Sequence, residues 1–274
     1  MKKIGIIFNT EKERARLEMT RLEEWLRIRG CKTVIIPSDV QKVPSLHFAL
    51  TLGGDGTMLK ASRFLAPAGI PVLGVNLGSL GFLAETNPEE VYDFLDHILT
   101  NGFKTENRSM FSVSLLSKGK KTIHYVLNEC LIHSGSNSRV LTVSVDINDN
   151  FLADYIGDGL IIATPTGSTA YSLAASGPIV HPRLSVFILT PICPHTLTQR
   201  PMILPLEHTL TLRVNTRGIR KKPVLSLDGQ TNYLLSPNDS VTVTAAPFPL
   251  KLIINPNRKY LEVLRTKLKW GERG

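Results

Sequence analysis

Apolar strand-like runs alternate with amphipathic stretches in the first part of the chain. The run Lys3–Phe8 is typical of a buried strand, and residues 12–29 follow with apolar side chains at near-helical spacing up to Gly30. Further strands are predicted at residues 33–36 and 46–52. The alternation predicts a doubly wound parallel sheet, whose ligand lies beyond the carboxyl ends of the strands.

Two helices and one strand continue this pattern up to about residue 102. Residues 58–65 have apolar side chains at helical spacing, and residues 71–75 form another apolar run. Asn87 is followed by Pro88 and two acidic residues, which predicts the capped start of a helix.

The pattern changes after Gly102, where short alternating or β-branched runs replace the helical spacing. Turn residues separate these runs, as in an all-β domain. The predicted strands are residues 111–116, 140–147, 159–164, 186–190, 209–214, 241–245 and 252–254. A terminal helix is predicted at residues 258–269, with an apolar stripe that we expect to dock on a neighbouring domain or subunit.

Composition narrows the class of protein. The chain has 274 residues, of which 42% are hydrophobic and 20% charged, so we expect a globular protein of two domains. No apolar run reaches the roughly 18 residues of a membrane span, and the start of the chain does not resemble a signal peptide. The sparse cysteines Cys31, Cys130 and Cys193 fit reduced thiols in the cytoplasm.

The net charge of +9 is compatible with small polyanionic substrates, nucleic acid or a membrane surface. The densest basic run, at residues 213–222, has no interleaved aromatic residues. We therefore expect neither nucleic acid nor membrane as a partner.

The strongest candidate site is Gly53-Gly54-Asp55-Gly56-Thr57, between a predicted strand and a predicted helix. The glycines let the main chain approach a phosphate closely. The N–H groups and the field of the helix N-terminus favour an anion there. Because phosphate repels a carboxylate, Asp55 suggests proton chemistry or metal binding beside the phosphate. The competing interpretation is a tight turn in which Asp55 caps the helix.

A second loop with glycines, at residues 76–82, also follows a predicted strand. It could face the same crevice, with Phe82 as an apolar wall. The alternative is a plain loop.

Small hydroxyl residues are concentrated in residues 164–176, where six are Ser or Thr and three are Ala. Small side chains let a ligand come close, and hydroxyls can bond ribose and base edges. Tyr171 offers a stacking face. Overlapping helix caps are the competing interpretation.

Two shorter motifs are weaker candidates. In one, Glu129 could hold ribose hydroxyls and Asn128 could pair with a base edge, although this dipeptide, taken alone, is more typical of a surface pair. In the other, Asp228-Gly229-Gln230 predicts a hairpin turn first and a ligand contact second. The P-loop, dinucleotide fingerprint, nucleophile elbow and H-E-x-x-H motifs do not occur.

Taken together, residues 53–57, 128–129, 158–176 and 194–201 resemble the bacterial NAD kinases. The resemblance is collinear and extends to residues 268–271. The glycine-rich turn alone is shared with diacylglycerol kinases, sphingosine kinases and phosphofructokinases. The hydroxyl-rich stretch and the Asn-Glu pair narrow the resemblance to one family.

The resemblance implies phosphorylation of the 2′-hydroxyl of the adenosine ribose of NAD, giving NADP, with ATP and a divalent cation. It implies that Asp55 is the catalytic base and that the donor phosphates lie near Gly53, Gly54, Thr57 and Lys60. The positions that resemble NAD contacts are Asp55, Gly56, Asn128, Glu129, Arg139, Asp158, Thr169, Ala170, Tyr171, Ser172, Leu173, Ala174 and Gln230.

The family fold is similar to the one that the pattern predicts. It implies an α/β domain with a parallel sheet in residues 1–105, a β-rich NAD-binding domain in residues 106–254, and a C-terminal tail in residues 255–274 that packs on the first domain. A neighbouring subunit supplies part of the NAD pocket in this family, so we expect a homodimer or homotetramer.

We expect the cation, Mg²⁺ by preference, to arrive with ATP rather than in a dedicated metal site, and the protein to be cytoplasmic. Two alternatives stay open. One is a lipid or sugar kinase of the same superfamily, and the other is a dinucleotide sensor without activity. The sequence also leaves open the range of donors, from ATP to polyphosphate, and the use of NADH.

Overall fold

The computed structural model describes residues 1–37, 40, 42–78, 81–135, 140–215 and 222–271. It divides the chain into two compact units. Unit 1 comprises Met1–Asn107 and Leu250–Gly274, and unit 2 comprises Arg108–Pro249. The three-part division expected from the sequence stays a prediction about domains.

The described residues of unit 1 form a six-stranded sheet with the strand order β2-β1-β3-β4-β18-β5 and four helices. Its strands are β1 (Lys3–Phe8), β2 (Lys32–Ile35), β3 (Phe48–Gly53), β4 (Val72–Asn76), β5 (Thr105–Arg108) and β18 (Leu250–Ile253). Its helices are α1 (Glu13–Ile28), α2 (Asp55–Leu65), α3 (Val91–Asn101) and α5 (Tyr260–Leu268).

The sheet of unit 1 is parallel along β2, β1, β3, β4 and β18. Strands β3 and β4 are buried along their whole length. This is the expected pattern for central strands that are covered on both faces, and it explains their continuous apolar sequences. The prediction of an α/β unit with a parallel sheet is confirmed.

Two elements of unit 1 differ from the sequence prediction. Helix α3 begins at Val91, after a turn at residues 88–90, rather than directly after Asn87. The predicted cap bond is present before it, since the Asn87 side chain accepts the Glu90 N–H (2.9 Å). The strand predicted at residues 252–254 does not belong to the β-rich segment. As β18 it pairs in parallel with β4, at Leu252 and Val72, because an apolar run fits any buried sheet and only the tertiary fold selects one.

In the described part of unit 2, the strands form two six-stranded antiparallel sheets, with the orders β10-β9-β14-β17-β6-β7 and β13-β12-β11-β8-β15-β16. Strands of the first sheet are β6 (Phe111–Ser117), β7 (Lys120–Val126), β9 (Leu141–Ile147), β10 (Asn150–Gly157), β14 (Leu210–Asn215) and β17 (Ser240–Ala245). Strands of the second are β8 (Glu129–His133), β11 (Gly159–Ala163), β12 (Val186–Ile192), β13 (Met202–Pro205), β15 (Val224–Leu227) and β16 (Thr231–Leu234).

The two sheets of unit 2 differ in how they are covered. Strands β6 and β9 alternate between buried and less buried residues, as expected for a sheet with one apolar face. Strand β11 is buried throughout, because Val180 and its neighbours pack on the second face against Ile161 and Ile188. Between β11 and Val180 lie a 3₁₀ turn at Thr166–Thr169 and a short helix, α4 (Tyr171–Ala174). The hydroxyl-rich stretch therefore lies beside the end of β11.

Candidate active site

The predicted phosphate turn joins β3 to α2. Gly53 ends β3, Gly54 precedes the helix without capping it by a side chain, and Asp55 is the first helical residue. A Cβ atom on Gly53 would lie 2.3 Å from Thr57 Oγ1, so the turn has no room for a side chain there. Gly54 and Gly56 are exposed. An anion can therefore reach the main chain at the start of α2.

The Asp55 carboxylate is held by the loop that follows β4. Oδ2 accepts the Phe82 N–H (3.0 Å) and Oδ1 accepts the Leu83 N–H (3.2 Å). A Cβ atom on Gly81 would lie 2.1 Å from Asp55 Oδ1, so the loop backbone lies directly against the carboxylate. Asp55 thus does not cap α2, and the loop at residues 76–82 is more than a plain connection. Ser79 and Leu80 lie outside the described residues.

Arg258 anchors this loop and was missed by the sequence analysis. Its Nη2 donates to the Gly81 carbonyl (3.1 Å). Burial lowers the pKa of Arg258, whereas the nearby carboxylates of Glu85, Asp55 and Glu90 raise it. The guanidinium is therefore a positive charge in the neighbourhood of Asp55. No local motif marks it, since Arg258 and Gly81 are 177 residues apart in sequence.

A cleft of about 740 Å³ borders on Arg258 within unit 1. It lies between α3 and α5, and its walls include Asp93, His97 and Glu262. None of the predicted site residues lines it, so it is separate from the glycine turn.

In unit 2, one buried carboxylate accepts hydrogen bonds from three backbone N–H groups at the Asn-Glu pair. Asp228 accepts the N–H groups of Leu127 (3.1 Å), Asn128 (2.7 Å) and Glu129 (3.2 Å). Asp228 itself is 4% exposed and has φ 51°, in the hairpin turn that joins β15 to β16. The predicted hairpin at Asp228 and Gly229 is confirmed. The sequence did not indicate that the Asp228 carboxylate binds the backbone of residues 127–129.

The carbonyl groups of the same segment are held by the end of β11. Thr164 Oγ1 donates to the Leu127 carbonyl (2.6 Å), and the Thr164 N–H donates to the Asn128 carbonyl (2.8 Å). A Cβ atom on Gly167 would lie 2.1 Å from the Asn128 carbonyl oxygen. The hydroxyl-rich stretch therefore packs directly on Asn128, and the two motifs form one cluster.

The pKa of Glu129 in this cluster is strongly raised. Burial raises its pKa to about 8, and the negative charge of Asp228 adds to the effect. Among the described residues, Glu129 Oε2 has no hydrogen-bond partner, and neither has Thr166 Oγ1 in the adjacent 3₁₀ turn. Buried polar atoms normally have partners, so atoms without one suggest ligand contacts.

Some hydroxyl groups of the predicted NAD stretch make hydrogen bonds within the protein, whereas one aromatic ring is exposed. Ser172 is buried and shares a hydrogen bond with Thr190 (2.8 Å), and the Thr169 hydroxyl donates to the Thr166 carbonyl (3.3 Å). These two bonds explain part of the hydroxyl content by structure alone. Tyr171 is 47% exposed, so its ring is open to a ligand.

Other predicted site residues lie elsewhere. Asp158 is exposed and precedes β11, whereas Asn128 and Glu129 lie at the opposite end of that strand, because Ala163 pairs with Glu129. Five strand residues separate the two ends by roughly 16 Å. Gln230 follows the hairpin turn and Lys60 is exposed on α2. Arg139 and most of the basic run at residues 213–222 lie outside the described residues.

No group of three or more His, Cys, Asp or Glu residues that could hold a metal ion occurs in the described part of the chain. The Asp55 oxygens already accept backbone N–H groups. The described helices also include none that is both long and apolar enough to cross a bilayer.

Comparison with known proteins identifies the family. The model of the ATP-NAD kinase N-terminal domain matches residues 40–103, and that of the C-terminal domain matches residues 127–254. The chain belongs to the ATP-NAD kinase family. The first match includes the Asp55 turn, and the second includes the whole cluster around Asn128.

Curated NAD kinases align with this member over its whole length. The NAD kinase of Geobacter sulfurreducens is 40% identical, with 100% of both chains covered. The NAD kinase of Chloroherpeton thalassium is 39% identical over 98% of each chain.

Solved structures share the fold. A yeast NADH kinase complexed with NADH superposes with a TM-score of 0.89 at 23% identity, covering 100% of this chain and 89% of the other. An NAD kinase from Archaeoglobus fulgidus in complex with ATP has a TM-score of 0.77 at 25% identity, covering 97% and 98%. The predicted family and two-part fold are confirmed.

The family is one of ATP-dependent phosphotransferases that act on NAD, so the prediction of an NAD kinase is confirmed. The alternative of a lipid or sugar kinase is wrong. The roles of individual residues stay predictions.

Proposed function

We propose that this chain transfers a phosphoryl group from ATP to the 2′-hydroxyl of the adenosine ribose of NAD, with Asp55 as general base. The observation that carries the proposal is the Asp55 carboxylate, held by two backbone N–H groups at the mouth of a glycine turn. Phosphoryl transfer depends on alignment and on charge compensation more than on covalent chemistry. A fixed carboxylate beside an anion-binding turn meets both requirements.

The hydrogen bonds of Asp55 leave it able to act as a base. Each carboxylate oxygen accepts one N–H, and an ionised carboxylate has about four acceptor positions. The remaining positions can accept the ribose hydroxyl proton from about 3 Å. Gly53, Gly54 and Thr57, with Lys60 and the N-terminal field of α2, would accommodate the donor phosphates.

In unit 2, Asn128 and Glu129 would hold the dinucleotide together with Gln230, Arg139 and residues 169–174. Gly56, in unit 1, would be a further contact. The buried Glu129 Oε2 that has no partner among the described residues supports this role, because ribose hydroxyls can bond it. Asp158 lies at the far end of β11. This supports its contribution to the pocket of a neighbouring subunit, in a homodimer or homotetramer.

The divalent cation, Mg²⁺ by preference, would enter as part of the MgATP substrate. Oxygen ligands of the phosphates and water suit it, and the described residues offer no metal cage. The cation then offsets phosphate charge during transfer. We place this activity in the cytoplasm, with residues 1–105 and 106–254 as its two domains and residues 255–274 as the tail.

The test is a coupled assay. The pure protein is incubated with NAD, ATP and Mg²⁺, and NADP is followed with an NADP-specific dehydrogenase. NADP formation that disappears in Asp55→Asn supports both the reaction and the base. Formation with polyphosphate but not ATP would change the donor. Absence of NADP with every donor would contradict the proposed function and favour a sensor.

A further inference from the structure

Asp228 lies outside the predicted set of site residues. Its carboxylate is 4% exposed and accepts three consecutive backbone N–H groups, those of residues 127–129. Three converging N–H groups are a typical way to accommodate a buried carboxylate. Burial of this charge therefore requires residues 127–129 to keep this conformation.

The hairpin itself does not need a carboxylate. Asp228 and Gly229 have φ of 51° and 62°, the left-handed conformation that asparagine or aspartate followed by glycine readily adopts in hairpin turns. Asparagine at position 228 would suit the turn as well. The aspartate charge is thus explained by residues 127–129 rather than by the turn.

Among the described residues, Asp228 and Thr164 hold the backbone of residues 127–129, and the side chains of Asn128 and Glu129 do not. The Asp228 carboxylate accepts their N–H groups, and the hydroxyl and N–H of Thr164 donate to the carbonyls of Leu127 and Asn128. The Asp228 N–H also donates to the Glu129 carbonyl (2.9 Å), which fixes the position of the turn relative to the start of β8. The two side chains are therefore left to a ligand.

We propose that Asp228 is a positioning residue for the dinucleotide, and that it fixes the backbone of residues 127–129 so that Asn128 and Glu129 present their side chains to NAD. This rests on the proposed function, because it assigns NAD to these two residues. Asp228 acts through the backbone and does not touch the substrate. It should affect the binding of NAD and not the transfer of the phosphoryl group.

The negative charge of Asp228 also affects the pKa of Glu129. Asp228 is the charged group that acts on Glu129, and it adds to the effect of burial in raising the pKa of Glu129. The neighbouring Cys130 thiol is itself shifted to a higher pKa by burial and by both acids, so it stays protonated. Removal of the Asp228 charge should lower the pKa of Glu129. The pH dependence of NAD binding should then move to lower pH.

The test compares Asp228→Asn with Asp239→Asn. Asp239 is 8% exposed in the same unit and accepts one backbone N–H, that of Ser236 (2.7 Å), at another turn. We expect Asp228→Asn to raise the KM for NAD about tenfold, with kcat and the KM for ATP within about threefold of the parent. The inflection in the pH profile of KM for NAD should move to lower pH. Asp239→Asn should produce neither change.

Hydrogen exchange provides a readout that does not depend on activity. The amides of residues 127–129 should lose protection in Asp228→Asn and keep it in Asp239→Asn. Kept protection together with an unchanged KM for NAD would overturn the inference while the parent enzyme still makes NADP. A parent that makes no NADP would instead contradict the proposed function, and the exchange result would still decide whether Asp228 holds the segment.

Thr164→Val gives a second variant in case Asp228→Asn does not fold. It removes the hydroxyl that donates to the Leu127 carbonyl and accepts the Gly167 N–H (3.0 Å), but leaves the Asp228 charge in place. We expect a severalfold rise in the KM for NAD with an unmoved pH profile. An unchanged KM for NAD would count against the positioning of residues 127–129.

Discussion

Asp55 in unit 1 and Asp228 in unit 2 are both carboxylates held by several backbone N–H groups, but the two differ in what these hydrogen bonds achieve. In unit 1 the held group, Asp55, is half-exposed and is itself the proposed base. In unit 2 the carboxylate of Asp228 is buried, and it holds the backbone of the residues proposed to bind NAD. In unit 1 the backbone fixes the reactive carboxylate itself, whereas in unit 2 a carboxylate fixes the backbone that carries the binding side chains. Changes in unit 1 should therefore affect kcat, and changes in unit 2 the KM for NAD.

The largest effect should come from Asp55→Asn. The amide keeps the size of the side chain but cannot take the ribose proton, so kcat should fall by about 10² to 10⁴-fold. The KM for NAD should stay within a few-fold of the parent. Steady-state kinetics with NADP detection measures both values. Near-full activity would show that Asp55 is not the base.

The second effect concerns the stability of unit 2. Burial, together with the charge of Asp228, raises the pKa of Glu129 from 4.5 to about 8. Between these values the folded chain keeps a proton that the unfolded chain releases, so stability should be full below about pH 4.5 and decline as the pH rises to about 8. The decline should be about 2 to 4 kcal/mol and should disappear in Glu129→Gln.

Denaturant unfolding at pH 5 and pH 8 tests this prediction, with Glu207→Gln as the control because Glu207 is exposed in the same unit. The same decline in Glu129→Gln and in the parent would show that Glu129 is not its source.

The third effect uses one glycine from each unit. An added Cβ would lie 2.1 Å from Asp55 Oδ1 in Gly81→Ala and 2.1 Å from the Asn128 carbonyl oxygen in Gly167→Ala. Displacement of a reacting or binding group by about 1 Å should reduce function roughly 10- to 100-fold. We expect Gly81→Ala to lower kcat and Gly167→Ala to raise the KM for NAD.

Gly78→Ala is the matched control for Gly81→Ala, since nothing lies within 4 Å of a Cβ atom at Gly78. Full kinetics for the three variants checks the prediction. If both tight glycines changed the same kinetic parameter, the contrast between the two units would be lost.

The smallest effect should come from Arg258→Ala. The variant loses the hydrogen bond to the Gly81 carbonyl and the positive charge near Asp55. Loss of one partly buried, charge-assisted hydrogen bond should lower kcat about tenfold, with little change in the KM for NAD. Arg265→Ala, at an exposed position on α5, is the control. Equal kcat in the two variants would show that Arg258 does not help to position Asp55.

Local patterns in the sequence determined the elements and the reactive turn. Strand β1 was predicted with the bounds that the structure has, and α1 within a residue at each end. Residues 53–57 could be recognised because a glycine turn between a strand and a helix is a local requirement on the backbone. The hydroxyl-rich stretch was recognisable for the same reason, although Ser172 and Thr169 serve structural bonds within it.

The tertiary structure alone decided which distant groups support the two carboxylate sites. Asp228 lies 100 residues from Asn128, Arg258 lies 177 residues from Gly81, and β18 joins the first sheet instead of the β-rich unit. Each of these contacts depends on strand register and on the connection of elements. A single sequence does not encode them as periodicity or motif, because the free energy that selects them comes from burial and hydrogen bonding between segments that meet only in the folded chain.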